Sequence, residues 1–165
     1  MKQYTVEKDQ HLEIELTEPG EYEVILAGEG ASVLVGGRFS ASGSERIEVA
    51  IILRHEAKHT RADTTLKGVV RDTAFLKFTG RIIIEENCGD TNSFLTERIL
   101  LLSDSARAEA IPDLEIKTDD VKCSHAASIS KIPDEQLFYL QSRGIKRLDA
   151  EKLIVEGFLA LPQIE

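Results

Sequence analysis

The sequence predicts a mainly β protein that ends in a short α-helical segment, and three observations carry that expectation. Strand-length apolar or alternating segments follow one another from about residue 11 to residue 125. Clusters of turn-forming residues separate them, and no helix-period segment interrupts them. Many short strands fit a sandwich, a barrel or a solenoid. Two features favour the solenoid. The spacing between successive segments stays at roughly a dozen to twenty residues, the size of a β-helix coil or half-coil. The Asn-Gly and Asp-Gly pairs that mark tight hairpins are missing.

Taken in order, the segments are "HLEIEL" (11–16), "EYEVILAG" (21–28), "ASVLVGGRFS" (31–40), "RIEVAIIL" (46–53), "TTLKGVV" (64–70), "AFLKFTGRIIIEE" (74–86), "SFLTERILLLS" (93–103) and "DLEIKT" (113–118). Gly, Asn, Asp and Ser supply the turns between them, as in "EPG", "GEG", "ASGS", "NCGDTN" and "SDSA". In a solenoid each coil stacks its apolar residues on the coil below, so the repeat need only be one of pattern. After Ile132 the spelling changes. Pro133 suits the first helical position, Asp134 and Glu135 sit where the helix dipole favours acids, and Leu137 and Leu140 follow at helical spacing. Gly144 reads as a C-terminal cap. A second helix is expected over about 148–161, with Leu148, Leu153, Ile154, Phe158 and Leu161 on one face and Pro162 closing it. Phe138, Tyr139, Phe158 and Leu159 are the expected helix–helix contacts. The organisation is thus a β domain over 1–131 and a helical segment over 132–165.

Composition narrows the function. With 42% apolar and 30% charged residues the chain reads as an ordinary globular protein. A formal charge of −9 argues against nucleic acid or an anionic membrane as partner, since both demand clustered cations. The apolar runs are far shorter than the roughly 20 residues of a membrane helix, and "MKQYTVEKDQ" has no apolar h-region, so a cytoplasmic location is expected. In that compartment Cys88 and Cys123 are expected as free thiols.

The residues that could carry chemistry are few. Strand alternation puts Cys123 and His125 on one face, two residues apart. Imidazole and thiolate both ligate borderline metals, and thiolate suits an iron–sulfur cluster. Two ligands do not make a site, and the chain has no Cys-x-x-Cys; Cys123 is expected as a small buried hydrophobe. In "RHEAKHT", His55 and His59 flank Glu56, but the surroundings are strand-like and not those of a zincin helix, so a solvated strand end is expected. His11 stands alone. Cys88, in "NCGD", reads as a loop thiol without a base beside it. No Gly-x-x-x-x-Gly-Lys phosphate cradle occurs, so any nucleotide hydrolysis must come from a partner.

The run "IPDLEIKTDDVKCSHAASISKIPDEQLFYLQSRGI" (111–145), followed by "DAEKLIVEGF", closely resembles the C-terminal part of the SufB/SufD proteins of iron–sulfur cluster assembly. Upstream, "LKGVVRDTAFLKFTGRI" and "TNSFLTERILLLSDSARAEAIPDLEI" resemble the preceding coils, so the likeness covers about residues 50–160. It implies a right-handed parallel β-helix followed by a short helical region. "DDVKCSH" and "FYLQSRGI" are more similar to SufD than to SufB. The resemblance further implies a β-helix heterodimer of SufB-like and SufD-like chains, docking of a SufC-like ATPase on the C-terminal helices, and a cluster assembled near the dimer interface with a SufB cysteine and a SufD histidine. His125 corresponds to that histidine. The position of the SufB cysteine is Glu97 here, and the acidic residue that follows the SufB histidine is Ala126. No counterpart of the family's long N-terminal helical region lies within these residues.

The expectation is therefore a non-enzymatic, SufD-like partner in cluster assembly, carrying any cluster only transiently and holding none tightly. His125 is the candidate metal ligand at an interface, and Cys123 is a weaker one. Leu137, Phe138, Leu140, Ile145, Leu153, Ile154 and Phe158 form the candidate ATPase-docking set, more apolar surface than two short helices can hide against each other. The partner across the β-helix edge is a SufB-like scaffold or a second copy. The alternative is a metal-free structural or regulatory β-helix protein that homodimerises or binds the ATPase. A carbohydrate-acting β-helix enzyme is disfavoured, because no cluster of acids marks a strand face.

Overall fold

The computed structural model describes residues 1–161 as a parallel β-solenoid with two helices laid on its outside. Ten strands alternate between two sheets. The first sheet holds β1 (Lys2–Val6), β3 (Gly20–Leu26), β5 (Arg46–His55), β7 (Phe75–Ile84) and β9 (Arg107–Ile116), paired in that order. The second holds β2 (His11–Leu16), β4 (Ser32–Ala41), β6 (Arg61–Val70), β8 (Thr91–Leu101) and β10 (Val121–Lys131). Every pairing is parallel, so each strand lies on the strand two places earlier.

Every strand segment read from the sequence is present, and two strands extend that reading. β1 was not expected, because "KQYTV" buries only Val6; it exists because β3 offers it a free edge. β10 does not stop at His125 but continues through "AASISK", pairing residue by residue with β8 up to Lys131. Small polar side chains gave that stretch no apolar signal, and the backbone ladder holds it instead.

Register turns the alternation into interior columns. Val33, Ala62, Ser93 and Cys123 form one, Val35, Thr64, Leu95 and His125 the next, and Gly37, Leu66, Glu97 and Ala127 a third. From the opposite sheet come Leu26, His55, Ile84 and Ile116, beside them Val24, Leu53, Ile82 and Leu114, and then Tyr22, Ile51, Gly80 and Pro112. The columns make one continuous core whose largest fully buried side chains include Phe78, Leu53, Leu66 and Ile82. β9 and β10 form the last layer, and among the described residues nothing stacks beyond them. Their column ends Leu114, Ile116 and Ile129 are consequently more than two-fifths exposed.

Helix α1 (Asp134–Ser142) starts after Pro133, which occupies the N-cap, and ends at Gly144, whose φ of +86° only glycine adopts freely. Helix α2 (Arg147–Leu159) lies on the outer face of the second sheet. There Phe158 is sandwiched under the cations of Lys67 and Arg98, and Lys67 donates to the Ala160 carbonyl at the helix C-terminus. The helix pairing differs from expectation. Leu137 is buried, but Phe138 and Tyr139 are 73% and 57% exposed, and Phe158 packs on the sheet and not on α1. The expected role of Pro162 lies outside the described residues. Among the described residues, no helix is long and apolar enough to cross a membrane.

Candidate functional site

The last two coils bring one acid and one imidazole together inside the solenoid. Glu97 points inward from the middle of β8, in a column it shares with Leu66 and Ala127. It is fully buried. His125 points inward from β10 in the adjacent column. Its side chain is only 1% exposed although β10 belongs to the last layer, so it is an interior imidazole packed against the previous coil. Nε2 of His125 stands 3.3 Å from Oε2 of Glu97.

That contact is not a hydrogen bond. Both carboxylate oxygens of Glu97 and both ring nitrogens of His125 are buried without a hydrogen-bond partner, as is Oγ1 of Thr64 in the His125 column. Buried polar atoms are ordinarily paired. Gly80, on β7 of the facing sheet, makes the room they occupy. A methyl group there would stand 2.7 Å from Oε1 of Glu97, 2.7 Å from Cε1 of His125 and 2.4 Å from Cδ2 of Leu95.

Cys123 lies two residues back on the same inward face, half-buried against the core, and burial raises its thiol above the ordinary range. It is a free, protonated thiol, as is Cys88, which lies in the loop between β7 and β8 as expected but is buried there. The two histidines of "RHEAKHT" do not share a face. His59 sits exposed in a turn at φ +57°, with Nδ1 2.9 Å from Asp90. His55 is wholly inside, 2.8 Å from Thr60 Oγ1 through Nδ1 and 2.9 Å from Ser93 Oγ through Nε2. Burial pushes its pKa down to about 4. The expected solvated strand end is thus half wrong, because β5 extends two residues further than its apolar run and carries His55 into the column of Leu26 and Ile84. Among the described residues, no three His, Cys, Asp or Glu side chains converge as a complete metal centre.

Glu97 was legible as the residue at the SufB cysteine position, but its pairing with His125 was not. The two are 28 residues apart in the chain, and only the β8–β10 register joins them. The candidate docking residues divide. Leu137 is buried, Leu140, Ile145, Ile154 and Phe158 are half-buried, and Phe138 and Leu153 are exposed beside a shallow groove lined by Tyr139, Leu140 and Ile154.

Comparison with known proteins agrees with this architecture. The model of the SUF system FeS cluster assembly SufBD core domain matches residues 17–158. The chain is 38% identical over 133 residues to the iron–sulfur cluster assembly protein SufD of Bacillus subtilis, covering 81% of this chain and 29% of that protein. Against SufD of Escherichia coli identity is 33% over 135 residues, covering 82% and 32%. Against a SufBD family protein of Mycobacterium leprae it is 31% over 156 residues, covering 86% and 40%. The chain thus spans about a third of the length of these relatives. With the core-domain match running through both sheets and both helices, the chain belongs to the SufBD family of the SUF iron–sulfur cluster assembly system.

Proposed function

We propose that this protein is a SufD-like, non-enzymatic component of cytoplasmic iron–sulfur cluster assembly, acting with a SufB-like scaffold and a SufC-like ATPase. His125 serves as a ligand at the seam between chains, where the cluster is cargo and not a resident cofactor. The observation that carries the reading is the end coil. Within a chain matched to SufBD proteins over nearly its whole length, the last layer leaves two strand edges and the apolar column ends Leu114, Ile116 and Ile129 uncovered beside the buried His125. Unpaired strand edges are either protected or used for pairing. The exposed Phe138 and Leu153 and the groove between the helices support ATPase docking at the other surface.

The test is co-expression of the tagged chain with SufB-like and SufC-like proteins, followed by assay of iron and acid-labile sulfide per complex. Because the imidazole is buried, His125→Gln is the appropriate variant; it avoids the cavity that alanine leaves. The expected result is a complex that forms normally but loads little cluster, whereas Phe138→Asp with Leu153→Asp loses the ATPase. Equal loading by His125→Gln would overturn the ligand role and favour the metal-free reading.

A further inference from the structure

We propose that Glu97 and His125 together grip one divalent metal ion of borderline character, ferrous iron in the cell, at a site this chain builds from its own residues. The inference deepens the proposed function and rests on it for the site's purpose, but not for the binding itself.

A carboxylate and an imidazole that existed only to neutralise each other would align an N–H with an oxygen, since the buried ionic partner of a carboxylate must also satisfy its lone pairs. Here the two groups approach to 3.3 Å, yet none of their four polar atoms makes a hydrogen bond to protein. They lie side by side, each without a protein partner. The spacing has a simple interpretation. Two donor atoms each about 2.1 Å from one ion lie about 3.4 Å apart at a tetrahedral angle and about 3.0 Å apart at a right angle. The observed separation falls between these values.

The donor set chooses the ion. Carboxylate oxygen with imidazole nitrogen suits ferrous iron and zinc, and a carboxylate and histidines with open positions are a recurrent arrangement around non-haem iron. It lacks the thiolates that hold a sulfide-rich cluster, so Glu97 and His125 by themselves make a site for the ion, and a cluster needs thiolates from a partner chain. Gly80 bears on the same two groups, since any side chain there would collide with the Glu97 carboxylate and the His125 ring together. No third His, Cys, Asp or Glu among the described residues completes the set, so water or a partner chain fills the remaining positions. Access is through β10, the edge strand of the last layer: the backbone at His125 is partly open to solvent although its ring is not.

The experiment uses the full chain alone, without oxygen, titrated with Co²⁺ as a spectroscopic probe and then with Fe²⁺. One Co²⁺ per chain with visible ligand-field absorption is expected. Glu97→Gln, which keeps the shape of the side chain, and His125→Gln should each weaken binding by at least about ten-fold, while Cys123→Ser and His59→Gln leave it unchanged. A nitrogen-15 histidine spectrum of the parent gives a reading that needs no variant: Zn²⁺ should shift the His125 ring and leave that of His55, both of whose nitrogens are already bonded. The proposal is overturned if the parent binds no metal, if the His125 ring does not respond, or if Glu97→Gln binds like the parent. A complex that loads no cluster while the chain still binds the ion would remove the assembly reading and leave this site standing. A complex that loads cluster while the chain binds no ion would do the reverse.

Discussion

At the scale of single residues, the interior of this solenoid treats its two buried histidines in opposite ways. His55 has both ring nitrogens satisfied by hydroxyls, within a chain that continues from Thr60 Oγ1 to Thr91 Oγ1 at 3.1 Å, and Thr91 donates to the Cys88 carbonyl. It is a neutral, structural group. His125 has neither nitrogen satisfied, and its neighbour is a buried carboxylate. The contrast makes His55 a source of acid sensitivity. Its pKa falls from an ordinary 6.5 to about 4 on folding, so the unfolded chain binds the proton more readily. Above pH 6.5 the group contributes no pH dependence; as pH drops from 6.5 towards 4 the folded state loses up to about 3 kcal/mol. Urea unfolding across that range should show this slope in the parent and not in His55→Gln, measured as a difference between the two proteins.

At the scale of elements, α2 is held to the solenoid by a small number of contacts outside the core. Phe158 meets Lys67 at 5.9 Å and Arg98 at 5.5 Å from its ring centre, and Arg71 pairs with Glu151. Neither helix contributes to the continuous interior. α2 should therefore open independently of the strands. Phe158→Ala removes apolar area and two cation–π contacts together worth about 1–2 kcal/mol. Hydrogen exchange should then quicken across Arg147–Leu159 while β6 and β8 keep their protection. Loss of protection in the strands as well would mean that the helix is part of the cooperative core. The outer face of the first sheet is organised differently, by charge. Glu23, Arg54, Glu85, Lys117, Glu115, Arg81 and Asp113 form a continuous ion-pair ladder across β3, β5, β7 and β9. A hydrogen bond from Lys117 to Glu85, at 2.7 Å, holds that carboxyl below its usual range. This ladder locks successive coils where apolar residues would have left a sticky surface.

At the scale of the whole molecule, a stack of coils has two ends, and the second end here is unfinished. Leu114, Ile116 and Ile129 are column residues with no next layer, and the strands that carry them are the outer strands of both sheets. A solenoid end of this kind needs a cap or a partner. Light scattering should find concentration-dependent association of the purified chain, and Leu114→Lys with Ile129→Lys should reduce it to monomer without unfolding, because both side chains are already more than two-fifths exposed. A parent that stays monomeric at high concentration, and that forms no pair with a SufB-like chain, would show that the end is simply tolerated.

The strands, the turns and the change to helix at Ile132 are legible in the sequence, because alternation, turn residues and capping signals are local and each is read within a few residues. The family is legible there too, because long motifs such as "DDVKCSH" and "FYLQSRGI" survive as spelling. β1 and the far half of β10 are not, since those segments are held by a neighbour's ladder and not by their own apolar content. Which polar residues lie inside is settled by stacking. His55, Glu97 and His125 are read from spelling as surface groups or as a departure from a family pattern, yet register stacks all three into interior columns. Which coil position falls on which column depends on the length of every preceding turn. Local sequence therefore fixes each strand but not its neighbour, and the meeting of Glu97 with His125 belongs to the stacking alone.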